Sequence, residues 1–124
     1  MIIGIGTDIT DVNRIEESIE KFGDRFIKKI FTETESEYCE SFKLHKGQHY
    51  AARFAAKEAF SKAIGTGMRE GFAFNLVGVR NMTSGKPIIE LTGVMQERWG
   101  DCRIHLTLSH SATLAVAMVA IEKD

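Results

Sequence analysis

The sequence predicts an α+β fold on three observations: period-two alternation over residues 2–9, a helical, alanine-rich stretch over residues 48–64, and strand-like segments after residue 73. The opening alternation puts Ile3, Ile5 and Ile9 on one strand face and Gly4, Gly6 and Asp8 on the other. Asp8 therefore projects from a face otherwise stripped of side chains. A carboxylate is disfavoured inside a strand, and bare glycines let a ligand or another backbone approach. The plainer alternative is a strand-end Asp bonded to nearby turn amides. Thr10 or Asp11 can cap the helix that follows, in which Ile15, Ile19, Phe22 and Phe26 recur at helical spacing. Gly23 is expected to break or bend it. If the register survives Gly23, Arg14, Lys21, Arg25 and Lys28 fall within about 60° of one another and form one basic stripe.

Residues 32–42 predict a short helix, opened by Thr32 and Glu35 as a capping box. Residues 43–47 read as a loop. The stretch 48–64 then runs as a long helix to Gly65-Thr66-Gly67, where glycine supplies the terminating left-handed residue. Strands at 74–82 and 86–91 flank the turn signal Thr83-Ser84-Gly85. A helix of two turns or fewer is expected at 94–99. Residues 103–109 alternate again, Ile104, Leu106 and Leu108 opposing His105, Thr107 and Ser109. Residues 113–121 are nearly all apolar, as a strand buried on both faces should be. With no linker, repeat or low-complexity tract, residues 1–124 read as a single domain.

Composition narrows the function classes. A chain of 124 residues with 44% apolar content can bury a core without staples, and two isolated cysteines, Cys39 and Cys102, fit a reducing cytoplasm. No apolar run approaches the ~18 residues that cross a bilayer, and the first residues lack a charged targeting region. The balance of 16 Lys+Arg against 17 Asp+Glu argues against a nucleic-acid or membrane-surface binder. Its distribution is uneven. Four acids (Glu33, Glu35, Glu37, Glu40) and no base occupy residues 32–40, whereas residues 41–62 carry five bases and one acid, Glu58. Solvated helix faces are the ordinary reading of such runs.

Glu58 and Lys62 are an i,i+4 pair in the favourable order, which by itself contributes only ~0.2–0.5 kcal/mol. Their surroundings are unusual. Ala51, Phe54, Ala55 and Gly65 share their face, while Ala52, Ala56, Ala59, Phe60 and Ala63 supply an opposing one, so the helix is expected to be buried on both sides. Two carboxylates from separate elements, Asp8 and Glu58, beside Lys62, have the chemistry to hold Mg²⁺ against a phosphate. Other signals fail. Gly4-Ile-Gly6 lacks the third glycine of a dinucleotide fingerprint, and Ser84-Gly85-Lys86-Pro87 lacks the spacing of a Walker loop. His45 with His49, and Cys102 with His105, each make only half a zinc site.

The opening Gly4-Ile-Gly6-Thr7-Asp8-Ile9, the helix Arg53-Phe54-Ala55-Ala56-Lys57-Glu58-Ala59-Phe60-Ser61-Lys62-Ala63, the turn Gly85-Lys86-Pro87 and the strand His105-Leu106-Thr107-Leu108-Ser109-His110 resemble the holo-acyl-carrier-protein synthases. These are the small bacterial-type 4′-phosphopantetheinyl transferases, and the resemblance spans nearly the whole chain. It implies a mostly antiparallel sheet packed against a long helix and shorter helices. It further implies Mg²⁺-dependent transfer of phosphopantetheine from coenzyme A to a serine of apo acyl carrier protein, in fatty acid biosynthesis, with release of adenosine 3′,5′-bisphosphate. Carried over, Asp8 and Glu58 match the metal-binding acids and Lys62 the lysine beside the pyrophosphate. His105 falls in a block that helps hold coenzyme A, with Arg53, Gly85, Lys86, Pro87 and Ser109 as further nucleotide contacts. A homotrimer with active sites between subunits is implied as well. Because acyl carrier proteins are acidic, the Arg14/Lys21/Arg25/Lys28 stripe is the expected docking surface. Thr107 departs from the family's usual serine but keeps the hydroxyl. The same acids could also serve a Mg²⁺-dependent nucleotide phosphodiesterase, and the scaffold a non-catalytic coenzyme A-binding module.

Overall fold

The computed structural model describes residues 1–124. Strand β1 (Ile2–Asp11) leads into helix α1 (Val12–Phe22), then α2 (Asp24–Ile30), α3 (Glu33–Glu40) and the long α4 (Lys46–Ala63). A 3-10 turn (Phe74–Leu76) precedes the hairpin of β2 (Val77–Asn81) and β3 (Pro87–Leu91), and α5 (Gly93–Trp99), β4 (Arg103–His110) and β5 (Leu114–Glu122) follow. Every strand pairing is antiparallel. The main sheet has the order β1-β5-β4, with β5 central and β1 an edge, and β2 pairs only with β3.

Helix α4 lies across the inner face of the main sheet, where its alanines meet Ala117, Val119 and Ile121 of β5 in one core cluster. A second cluster joins the start of α4 to α1, α2 and α3 through Val12, Ile15, Ile30, Phe31, Cys39 and Tyr50. The long helix is thus buried on both sides, as its two alanine faces require. Gly4 and Gly6 explain how the edge strand reaches it: a Cβ on either would collide with the carbonyl oxygen of Ala63 or Ala59. The bare face of β1 therefore admits another backbone, that of α4.

Several sequence expectations change. The isoleucine face of β1 is the outer one, with Ile5 and Ile9 each 64% exposed. Strand β5 is not buried on both faces: Ala115, Ala117, Val119 and Ile121 point inward, while Leu114, Val116 and Met118 join the exposed outer face. Hydrophobicity along this strand reports two apolar faces, only one of which this chain covers. Residues 74–76 form a 3-10 turn instead of starting a strand, and α4 begins at Lys46, inside the expected loop, after His45 in a left-handed conformation. Gly23, with φ 58, ends α1 and starts α2. The basic stripe is therefore not continuous. Arg14 and Lys21 belong to α1, Arg25 and Lys28 to α2. Asp11 sits at the start of α1 without a side-chain cap bond, and Thr10, the other candidate, donates its hydroxyl to Asp8 instead. The Thr32–Glu35 capping box forms as expected.

Candidate active site

Asp8 lies on the inner face of β1 in register with Ala117, and Thr10 Oγ1 donates to its Oδ2 at 2.7 Å. The Lys62 ammonium donates to Asp8 Oδ1 at 3.2 Å and to the Thr7 carbonyl at 3.0 Å. Glu58, one turn before Lys62 on α4, is half-buried. Burial raises its proton affinity first, repulsion from the Asp8 carboxylate second, and the charges of Lys62 and Arg14 oppose both. Two carboxylates that repel each other, with one ammonium tying strand to helix, form an oxygen-rich corner whose electrostatics favour a cation. Arg14 brings the start of α1 into the same electrostatic neighbourhood, so one of the residues expected to dock the carrier adjoins this corner.

The other predicted residues do not converge on it within one chain. Arg53 is buried: its guanidinium lies over the Tyr38 ring at 4.2 Å, and Nη2 donates to Asn81 Oδ1 at 2.6 Å. Asn81 Nδ2 in turn donates to the Gly85 carbonyl at 3.0 Å. Arg53 and the turn Gly85-Lys86-Pro87 are thus joined, Gly85 taking the φ of 94° that the tight turn requires. Arg53 Nε is buried without a partner. His105 and Ser109 sit on the outer sheet face, where His105 Nε2 lies 3.0 Å from Glu122 Oε1. The sheet separates them from Asp8, whose side chain is on the inner face. Within one chain the predicted site falls into three parts: the Asp8/Glu58/Lys62 corner, the Arg53-linked turn, and the outer face of β4.

A model described as the 4'-phosphopantetheinyl transferase superfamily matches residues 4–119. The chain belongs to this family. Among its relatives are the holo-(acyl-carrier-protein) synthases of Methylorubrum extorquens, 46% identical with 98% of this chain and 94% of that one covered, and Caulobacter vibrioides, 48% identical with 98% and 96% covered. The crystal structure of the Bacillus anthracis synthase in complex with CoA (3',5'-ADP) superimposes with a TM-score of 0.85 at 40% identity, covering 100% of this chain and 99% of that one. The Neisseria meningitidis synthase gives a TM-score of 0.88 at 36% identity, with 99% and 100% covered. The chain is a phosphopantetheinyl transferase of the holo-(acyl-carrier-protein) synthase type, and the α+β expectation holds.

Four groups in this transferase escaped the sequence reading. Lys57 is not one of the lysines around Glu58: it points away from that corner and pairs with Glu35 at 2.6 Å, both fully buried. Glu35 accordingly leaves the acidic run of residues 32–40, whose remaining acids face solvent. The signal available was Lys57's place one turn after Arg53, on a face otherwise occupied by core residues. Asn81 carried no signal at all. His110, at the end of the quoted β4 block, packs edge-on against His49 with ring centroids 5.3 Å apart, and its Nδ1 lies 3.0 Å from Gln48 Oε1. No helix is long and apolar enough to cross a membrane.

Proposed function

We propose that this transferase moves the 4′-phosphopantetheine group of coenzyme A onto a serine hydroxyl of an apo acyl carrier protein of fatty acid synthesis, using Mg²⁺ held by Asp8 and Glu58, and releases adenosine 3′,5′-bisphosphate. The observation that carries the reading is the corner in which Asp8, Glu58 and Lys62 meet between β1 and α4. Its donors are hard carboxylate oxygens suited to Mg²⁺, and a cation there relieves the repulsion from Asp8 that adds to burial in raising Glu58. Nowhere in the chain do three or more His, Cys, Asp or Glu side chains gather to make a closed metal cage. An open two-carboxylate site instead leaves room for phosphate oxygens.

When bound, Mg²⁺ supplies Lewis-acid neutralisation of the pyrophosphate. The protein's own work is positioning and charge. Thr10 fixes the Asp8 carboxylate, and the Thr7 carbonyl steadies the Lys62 ammonium beside it. As the serine oxygen bonds to the β-phosphorus, the bond from that phosphorus to the bridging oxygen breaks. Negative charge builds on the leaving bisphosphate, where Lys62 stabilises it. The serine proton has two acceptors open to it, Glu58 and a water molecule.

The reading includes a homotrimer with sites shared between copies. Support comes from the outer sheet face: Ile3, Ile5, Ile9, Val116 and Met118 leave an apolar surface on the same side as His105 and Ser109. A neighbouring copy covering this face would bury it and bring His105, Ser109 or the Gly85-Lys86-Pro87 turn toward another chain's Asp8 and Glu58. Free thiols at Cys39 and Cys102 fit a reducing, cytoplasmic setting.

The test is incubation with coenzyme A, Mg²⁺ and an apo carrier, followed by the mass of the carrier. Transfer should occur, disappear with chelator, and fall at least about a hundredfold in Glu58→Gln. Normal transfer by Glu58→Gln would overturn the metal assignment, and bisphosphate release without carrier would favour the phosphodiesterase. Binding of coenzyme A without turnover would favour the non-catalytic module. For the shared site, inactive Glu58→Gln and His105→Ala chains should regain activity when co-assembled, and sedimentation should give three copies.

A further inference from the structure

Helix α4 presents two polar pairs to opposite neighbours. Glu58 and Lys62 face β1, while Arg53 and Lys57, one turn apart, face α3 and the β2–β3 hairpin. All three protons of the Lys57 ammonium are used: Nζ donates to Glu35 Oε1 at 2.6 Å, to the Val77 carbonyl at 2.7 Å and to the Phe74 carbonyl at 3.1 Å. Glu35 accepts three bonds in all, with both oxygens engaged. Its Oε1 also accepts from Thr32 N at 2.8 Å, and its Oε2 accepts from Val79 N at 2.8 Å. Both side chains have no exposure to solvent.

Strand β2 is thereby tied down at both ends. Lys57 holds Val77 at its start, Glu35 holds Val79 at its middle, and Arg53 holds Asn81 at its finish, from which Asn81 reaches Gly85. A buried ion pair is often no more stabilising than apolar residues of the same volume, because desolvation offsets the attraction. What this pair adds over an apolar plug is direction. Two of its five bonds, to the Val77 carbonyl and from Val79 N, grip the strand itself, and the other three fix the pair to α3 and the turn before β2, so that together they set the height and tilt of β2 against α4.

We propose that the Glu35–Lys57 pair positions the β2–β3 hairpin, setting the distance between the Gly85-Lys86-Pro87 turn and Lys62 on the opposite side of α4. This rests on the reading above in which that turn contacts the nucleotide of coenzyme A. The nucleotide and the pyrophosphate of one substrate are then registered through a single helix, in the same chain or between copies. Neither residue touches substrate. Both act through the hairpin.

The test uses Glu35→Gln/Lys57→Met, which removes the charge pair without leaving one buried charge alone, and Asn81→Ala, which cuts the second tie and leaves the pair intact. In the double variant, hydrogen exchange of amides 77–91 should quicken while amides of β1 and β5 keep their protection. Its KM for coenzyme A should rise about tenfold with kcat at saturation within about threefold of the parent. Asn81→Ala should shift KM in the same direction, and combining all three changes should give less than the product of the separate effects. An unchanged KM in the folded double variant overturns the proposal, as does a loss confined to kcat. If the double variant does not fold, Glu35→Asp, which keeps both charges but shortens the reach to Lys57 and Val79, takes its place, and an unchanged KM in it overturns the proposal. Lys86→Ala separates the two readings: if it leaves KM unchanged while the double variant raises it, the nucleotide contact at the turn fails and the positioning role stands.

Discussion

Lys62 bridges α4 and β1, its Nζ 3.2 Å from Asp8 Oδ1, although its side chain is 53% exposed. An ion pair so open to water contributes less than about 1 kcal/mol to stability. In the proposed reaction the same ammonium faces the place where the leaving bisphosphate gains charge. Lys62→Met should therefore leave the thermal midpoint within a few degrees of the parent while lowering kcat about 10²–10³-fold. Thermal unfolding and carrier mass measured on one preparation separate the two effects. A loss of activity matched by a loss of folded protein would assign Lys62 a structural role instead.

The close approach of β1 to α4 depends on Gly6, where an added methyl would strike the Ala59 carbonyl oxygen. Both partners are backbone atoms of core elements, so neither can swing aside. Gly6→Ala should cost about 3 kcal/mol or more, and any folded remainder should show reduced transfer because Asp8 is pushed from Glu58 and Lys62. Gly23→Ala is the contrast. Its Cβ meets nothing within 4 Å, and what remains is the strain of φ 58 with ψ −139, a backbone conformation that is essentially glycine's own, a cost of about 1–3 kcal/mol. Denaturant unfolding of the two variants should rank them in that order, with transfer impaired in Gly6→Ala alone.

These contrasts show which parts of the site were legible. Asp8 on a bare strand face, and Glu58 with Lys62 among small residues, stand out because strand and helix periodicities place them without knowledge of anything distant. The Thr32–Glu35 capping box was legible for the same local reason. That Glu35 also holds Lys57 and Val79 was not, since those bonds cross 22 and 44 positions of sequence and exist only after α3, α4 and β2 have packed. The break at Gly23 was readable as a possibility, but the angle between the two helices it joins is set by packing. The apolar pattern of β5 was over-read as double burial because sequence does not say whether an outer face is covered by the same chain or by a neighbouring one.

Tyr50 OH donates to Glu40 Oε2 at 2.8 Å, and Glu40 is held below the ordinary carboxylate range by its bond to Lys46 first and to Tyr50 second. A carboxylate lowered by folding contributes stability that is present above its ordinary value of 4.5 and lost as pH falls through the lowered one. Tyr50→Phe removes one of the two bonds, and water replaces it at the half-exposed Glu40. The variant should be less stable by about 1 kcal/mol at neutral pH, with the difference shrinking in acid as Glu40 is protonated in both proteins. Thermal midpoints of the pair from pH 7 to pH 3 test this. A gap that widens in acid would contradict it.

The division of the basic residues between two helices sharpens the docking expectation. Arg14 and Lys21 share one face of α1 two turns apart, and Arg25 and Lys28 lie beyond Gly23 on α2. An acidic carrier helix meeting both pairs gains encounter rate and register mainly through charge, so the effect should be screened by salt. Arg14→Ala/Lys21→Ala should raise the KM for carrier about tenfold at low salt and flatten its salt dependence. Within that pair the two residues should differ. Arg14 is one of the charges that act on Glu58, so Arg14→Ala should also change kcat, whereas Lys21→Ala, two turns further along α1, should change KM alone. Initial rates across carrier and NaCl concentrations resolve both, and an unchanged carrier KM at low salt in the double variant would remove α1 from the docking surface.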